Sequence, residues 1–202
     1  MNPRYRQASF LRAVTRLDQA PDDVGREVAF AGRSNAGKSS AINRICDQRQ
    51  LARTSKMPGR TQQIVFFETG EGRRLVDLPG YGYARVSEAI KRQWQDLMAD
   101  YLRQRQSLIG LVVVMDIRHP LTDFDLRMLD WSRESSLPLL LLLSKSDKFK
   151  RGAAMAQADR VRRALAGEGT LKSRLASLPR KPPRRDPGPV GAAQAAFGWS
   201  CC

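Results

Sequence analysis

The chain has 202 residues, 42% of them hydrophobic, with a formal charge of +15 and three cysteines. That length suits a single domain with a full core, and Cys46, Cys201 and Cys202 exclude a paired disulfide framework and fit a reducing compartment. No apolar run reaches the roughly 18 residues of a membrane span and no signal-like h-region follows the first arginines, so a cytoplasmic protein is expected, its charge favouring a polyanionic partner.

Residues 1–23 are basic and mixed and read as an N-terminal lead-in, with Phe10, Leu11, Val14 and Leu17 spaced so that a short helix or strand could dock on a domain spanning 24–170. Val28 to Ala31 then predicts a strand, which breaks into Gly32-Arg33-Ser34-Asn35-Ala36-Gly37-Lys38-Ser39 and continues as a helix-like run from Ser40 to Ile45. This is G-x-x-x-x-G-K-[ST] in the context the pattern requires. Glycines let successive N–H groups turn inward as an anion cradle, and the helix adds the positive end of its dipole. Lys38 would reach β- and γ-phosphates and Ser39 would offer its hydroxyl to Mg²⁺.

Gln48 to Arg60 reads as a loop with Pro58-Gly59 as a turn signal. Gln63–Glu68 and Arg73–Asp77 predict a hairpin around Thr69-Gly-Glu-Gly72. From Ser87 to about Gln106, Ile90, Trp94, Leu97, Met98, Tyr101 and Leu102 recur at helical spacing, which assigns Trp94 to the core. Leu108–Met115 and Pro138–Leu143 are continuous apolar runs, as expected of parallel strands buried on both faces. They are followed by helices from Asp123 to Arg133, with Asp123 or Thr122 as N-cap, and from about Gly152 to Ala166. Alternation of this kind predicts a three-layer α/β fold with a doubly wound, mostly parallel sheet and one antiparallel edge strand, binding its ligand at the strands' C-terminal ends.

Two further segments complete a nucleotide site. In Ser144-Lys145-Ser146-Asp147, the Asp147 carboxylate can accept from N1–H and the exocyclic amine of guanine, a donor pair that adenine lacks, while Lys145 lies along the ring. In Asp77-Leu78-Pro79-Gly80, Asp77 can orient Mg²⁺ through water and the Gly80 N–H can sense a γ-phosphate. Thr61, between the phosphate loop and that strand, would complete the Mg²⁺ shell. His119, the single histidine, reads as a loop-fixing residue rather than a catalyst. Tyr81 follows Gly80 where Ras-like proteins carry a water-orienting glutamine, so hydrolysis should be slow or need outside help.

Gly-Arg-Ser-Asn-Ala-Gly-Lys-Ser (32–39), Pro-Gly-Arg-Thr-Gln (58–62), Asp-Leu-Pro-Gly-Tyr-Gly-Tyr-Ala (77–84), Asp-Ile-Arg-His-Pro (116–120) and Ser-Lys-Ser-Asp-Lys (144–148), in this order, resemble the EngB/YihA GTPases of bacteria. The resemblance spans about residues 5 to 166. It implies a TRAFAC-class GTPase that binds GTP and GDP and assists large ribosomal subunit assembly, in a family also linked to cell division and septation. It carries nucleotide contacts onto Gly32 to Ser40, onto Pro58, Gly59, Arg60, Thr61 and Gln62, and onto Leu78 and Pro79 beside Asp77 and Gly80. Lys38, Thr61, Gly80 and Asn35 are the catalytic candidates; Asn35 matches a position that ligates an activating potassium ion in related GTPases. The charge is compatible with ribosomal RNA, and a monomer without DNA binding is expected.

The segment after Leu171 departs from the resemblance. Five prolines between Pro179 and Pro189 argue against a continuous helix or a central strand, so 171–202 reads as a basic, Pro-rich tail without regular structure. Ser177 falls roughly where the family's base loop belongs. The tail holds six Lys and Arg against one Asp, which leaves +10 of the +15 on the rest. The alternative reading is a basic RNA-binding or septation-associated module whose nucleotide site is impaired by this tail.

Overall fold

A computed structural model describes residues 3–52, 63–81, 87–166 and 173–178. A short helix α1 (Pro3–Arg6) and strand β1 (Ser9–Val14) precede β2 (Arg26–Ala31), α2 (Lys38–Ile45), β3 (Ile64–Glu68), β4 (Arg73–Asp77), α3 (Glu88–Gln104), β5 (Leu108–Asp116), α4 (Asp123–Glu134), β6 (Leu139–Ser144), α5 (Arg151–Ala166) and β7 (Ser173–Leu178). The strands form one sheet in the order β1-β3-β4-β2-β5-β6-β7.

The leucine and valine runs act as two-faced strands. Ala29, Ala31, Leu111, Val113, Met115, Leu139, Leu141 and Leu143 enter one core with the apolar stripes of α3, α4 and α5, including Tyr101, Met128, Leu129, Val161 and Leu165. Their neighbours Val28, Phe30, Val112, Val114, Leu140 and Leu142 enter a second core with Ala41, Ile42 and Ile45 of α2. A period of two thus divides each strand between two helical layers, giving the three-layer architecture. Trp94 is buried, as its helical spacing requires.

The sequence reading needs three corrections. The antiparallel strand is β3, but it lies inside the sheet, antiparallel to both β4 and β1, and β1 forms the edge. β1 joins through backbone pairing; Val14 is buried and Leu17 packs on the core, whereas Phe10 and Leu11 are exposed. At the other edge, residues Ser173–Leu178 do form a strand, parallel to β6 from Leu139↔Ser173 to Ser144↔Leu178. It ends immediately before Pro179, so the prolines that argued against a strand lie beyond its last residue.

Candidate functional site

β2 delivers the chain to the C-terminal edge of the sheet, where Gly32 passes so close to β5 that a Cβ there would stand 2.5 Å from the Val114 carbonyl oxygen. Asn35 and Gly37 take left-handed backbone conformations, φ 61° and 104°, and Gly37 caps α2, whose first residues are Lys38 and Ser39. The result is a tight glycine turn feeding a helix N-terminus, a cradle of main-chain donors suited to an anion.

β4 is parallel to β2, with Asp77 opposite Phe30, so its last carboxylate arrives beside the cradle. Lys38 Nζ lies 3.1 Å from Asp77 Oδ1 and both side chains are nearly buried. The oxygen nevertheless receives no well-aligned hydrogen bond. A buried carboxylate oxygen with spare accepting capacity beside the first residue of α2 suits a hydrated divalent cation. The chain then continues along the loop: the Leu78 N–H donates to the Phe30 carbonyl at 3.0 Å, the Ser34 N–H donates to the Tyr81 carbonyl at 2.7 Å, and Arg33 pairs with Tyr81. Gly80 is thereby held against the glycine turn.

The third segment is tied on by side chains. Ser144, the end of β6, donates its hydroxyl to the Ala36 carbonyl, and Lys145 Nζ donates to the Asn35 carbonyl at 2.6 Å and to Asp116 Oδ2 at 2.8 Å. Lys145 sits at φ 58° and opens the turn Ser146–Lys148, on which Asp147 is exposed. Partial burial pushes the Asp116 carboxyl up, but hydrogen bonds from Arg118 and Lys145 outweigh it and hold the group well below the usual carboxylate range. The His119 N–H donates to the Asp116 carbonyl at 2.9 Å, and its side chain is exposed.

The structure therefore brings together Gly32 to Ser40, Asp77 to Gly80 and Ser144 to Asp147, with the C-terminal end of β7, Ser177 opposite Leu143, on the same edge. Pro58, Gly59, Arg60, Thr61 and Gln62 lie outside the described residues. Asp116, the anchor of Lys145, was missed as a site residue, although its place after a buried strand and before Arg118 was the available signal. Asp125, bonded to Tyr81 from α4, had no local signal at all, because it lies 44 residues away.

Residues 27–145 match the family described as 50S ribosome-binding GTPase. Two relatives, each named "Probable GTP-binding protein EngB", come from Escherichia coli O139:H28 (strain E24377A / ETEC) and Salmonella newport (strain SL254). They are 56% and 57% identical over 164 residues, covering 81% of this chain and 78% of theirs. A crystal structure of a protein named "probable GTP-binding protein engB" agrees in fold, with a TM-score of 0.62 at 21% identity, over 86% of this chain and 97% of that one. The parallel sheet, the glycine turn and the loops gathered on it are those of a P-loop GTPase. Within that class, the chain belongs to the EngB family of GTP-binding proteins.

Proposed function

We propose that this protein is a magnesium-dependent GTP switch that acts in the cytoplasm, as a monomer, on assembly of the large ribosomal subunit, with the link to cell division and septation that its family suggests. The observation that carries the reading is the pair of lysines: Lys38 joins the glycine turn to Asp77, and Lys145 joins it to Asp116 and the Ser144–Asp147 turn. The main-chain N–H groups of Gly32 to Ser40 then hold the β- and γ-phosphates with Lys38, the Gly80 N–H reads the γ-phosphate, Asp147 reads guanine, and Ser177 borders the base. Pro58 to Gln62 form the switch segment. Ser39, Thr61 and Asp77 would hold Mg²⁺, which when bound neutralises charge on the phosphates.

The ribosomal half of the reading is supported by the matched family's description and by charge. Lys148, Lys150, Arg151, Arg160, Arg162 and Arg163 are all exposed, along α5 and the turn before it, against two acids in that stretch, Asp147 and Asp159. α4 by contrast carries Asp123, Asp125, Asp130 and Glu134 against Arg127 and Arg133. A cationic flank of this kind suits RNA phosphates, whose counterions it would release. Sedimentation of ribosomes from cells depleted of the protein is expected to show a loss of large subunits with small subunits in excess. A normal profile would remove the ribosomal assignment.

Base choice and hydrolysis make two further tests. Asp147→Asn replaces an acceptor by an amide that can donate, so preference should move from GTP to xanthosine triphosphate. Unaltered GTP preference in competition binding would take Asp147 out of the base site. Hydrolysis is slow because Tyr81 stands where an amide would orient water, and Asn35 compensates by holding a potassium ion. Exchange of Na⁺ for K⁺ should then accelerate turnover in the native chain but not in Asn35→Ala; equal rates in the two salts would retire the potassium site.

A further inference from the structure

Tyr81 is fixed from three directions. Its carbonyl accepts the Ser34 N–H at 2.7 Å, which sets the segment after β4 in register with the glycine turn. Its ring stacks on Phe124, the centroids 3.5 Å apart and the planes inclined by 23°. Its hydroxyl donates to Asp125 Oδ1, and burial followed by the neighbouring Asp125 carboxylate pushes that hydroxyl far above the ordinary tyrosine value, so it stays a donor. Asp125 is itself 2% exposed, and its Oδ2 accepts the Thr122 N–H at 2.9 Å and the Thr122 hydroxyl at 2.8 Å.

Packing alone does not require this arrangement. A phenylalanine would stack on Phe124 equally well, without burying a hydroxyl that needs a partner. A helix N-terminus, for its part, is served by a Ser/Thr cap and a Glu or Gln three residues on; the shorter Asp125 spends one oxygen on the cap and the other on Tyr81. Gly80 has no side chain of its own to fix it, so its position is set by its anchored neighbours, Asp77 in β4 on one side and Tyr81 on the other.

We propose that Tyr81 and Asp125 are positioning residues for GTP hydrolysis: the clamp between them holds Gly80 over the glycine turn and so aligns the γ-phosphate end of the site from α4. This rests on the reading of Gly32–Ser39 and Gly80 as the phosphate site. Alignment errors of tenths of an ångström cost rate rather than binding, because they act where reacting atoms must meet.

The test compares the full chain with Tyr81→Phe and Thr122→Ala, measuring steady-state GTP hydrolysis, GDP affinity and thermal unfolding. Tyr81→Phe keeps the stack and loses only the hydroxyl. Its kcat is expected to fall about tenfold, the scale of one charge-assisted hydrogen bond, with KM and GDP affinity within about twofold and a melting temperature lowered no more than in Thr122→Ala, since the buried Asp125 Oδ1 loses its donor. Thr122→Ala weakens the cap and leaves the clamp, so it should lower the melting temperature while kcat stays within about twofold. The proposal is overturned if Tyr81→Phe hydrolyses GTP at or above the native rate, if its kcat and GDP affinity fall together, or if Thr122→Ala loses kcat equally. A native chain that binds no GDP would instead remove the phosphate-site reading beneath it.

Discussion

Lys38→Ala is expected to weaken GTP binding by about a hundredfold to a thousandfold, roughly 3–4 kcal/mol, with a smaller loss for GDP. The argument starts from the Lys38–Asp77 pair, whose side chains are 12% and 8% exposed. Among the described residues, each charge is paired with the other. When a triphosphate enters, Lys38 is the nearly buried cation of the glycine turn, whereas Arg33 is exposed, and the main-chain donors around it are dipoles rather than full charges. Removing it leaves Asp77 buried beside incoming phosphates, so an attraction is replaced by a repulsion in a site with little water to screen it. The same geometry predicts Mg²⁺ dependence, because Asp77 loses its partner once Lys38 turns to the phosphates. Titration with a fluorescent GTP analogue, with and without Mg²⁺, checks both points. Native affinity in Lys38→Ala would sink the phosphate-loop assignment, and since the same variant also strips Asp77 of its partner, circular dichroism must first establish that it is folded.

Wherever one physical effect dominated, the fold could be read from the sequence. The runs Leu111–Met115 and Leu139–Leu143 have no polar alternation, which only strands covered on both faces tolerate, and they form interior strands of the sheet. The glycine turn was legible because backbone conformation restricts residue type: Gly32 has no room for a Cβ, and Gly37 is left-handed. Edges were harder. β1 exposes Phe10 and Leu11 and is held by main-chain pairing to β3, which no side-chain pattern announces. β7, Ser-Arg-Leu-Ala-Ser-Leu, has no β-branched residue, and its parallel partner β6 supplies the pairing that its own propensity does not. In the site, residues on the loops themselves were found from motifs, whereas Asp116 and Asp125 act through partners 29 and 44 residues distant, and such pairings exist only after folding.

The largest expected effect on stability lies at the opposite end of β2. Glu27→Ala should lower stability by about 3–5 kcal/mol, which for a chain of this length means a fall in melting temperature of roughly 10 °C. Glu27 is fully buried. Its Oε1 accepts from Arg74 Nε at 2.7 Å and Arg105 Nη2 at 2.8 Å, and its Oε2 from the Tyr101 hydroxyl at 2.9 Å and Arg105 Nε at 3.0 Å. The two guanidinium groups also hold the loop before β2, through the carbonyls of Pro21, Asp22 and Val24. One carboxylate therefore bridges two cations, and its removal leaves Arg74 facing Arg105 inside the protein, with only the partly exposed Asp23, 3.5 Å from Arg105 Nε, to offset them, beside a tyrosine hydroxyl that has lost its acceptor. Glu27→Gln keeps the shape and one acceptor but presents an NH₂ to a donor, so it should fall between the native chain and Glu27→Ala. Because an intact pair is not itself strongly stabilising, Arg74→Met combined with Glu27→Met and Arg105→Met should recover part of the loss that Glu27→Ala alone inflicts. Urea denaturation of the series measures this. If Glu27→Ala unfolds within about 1 kcal/mol of the native chain, water must reach the two arginines, and the network is a surface feature rather than the buried anchor of β2 and α3. GDP binding by the folded fraction should stay unchanged throughout, since Glu27 opens β2 whereas the glycine turn leaves its other end.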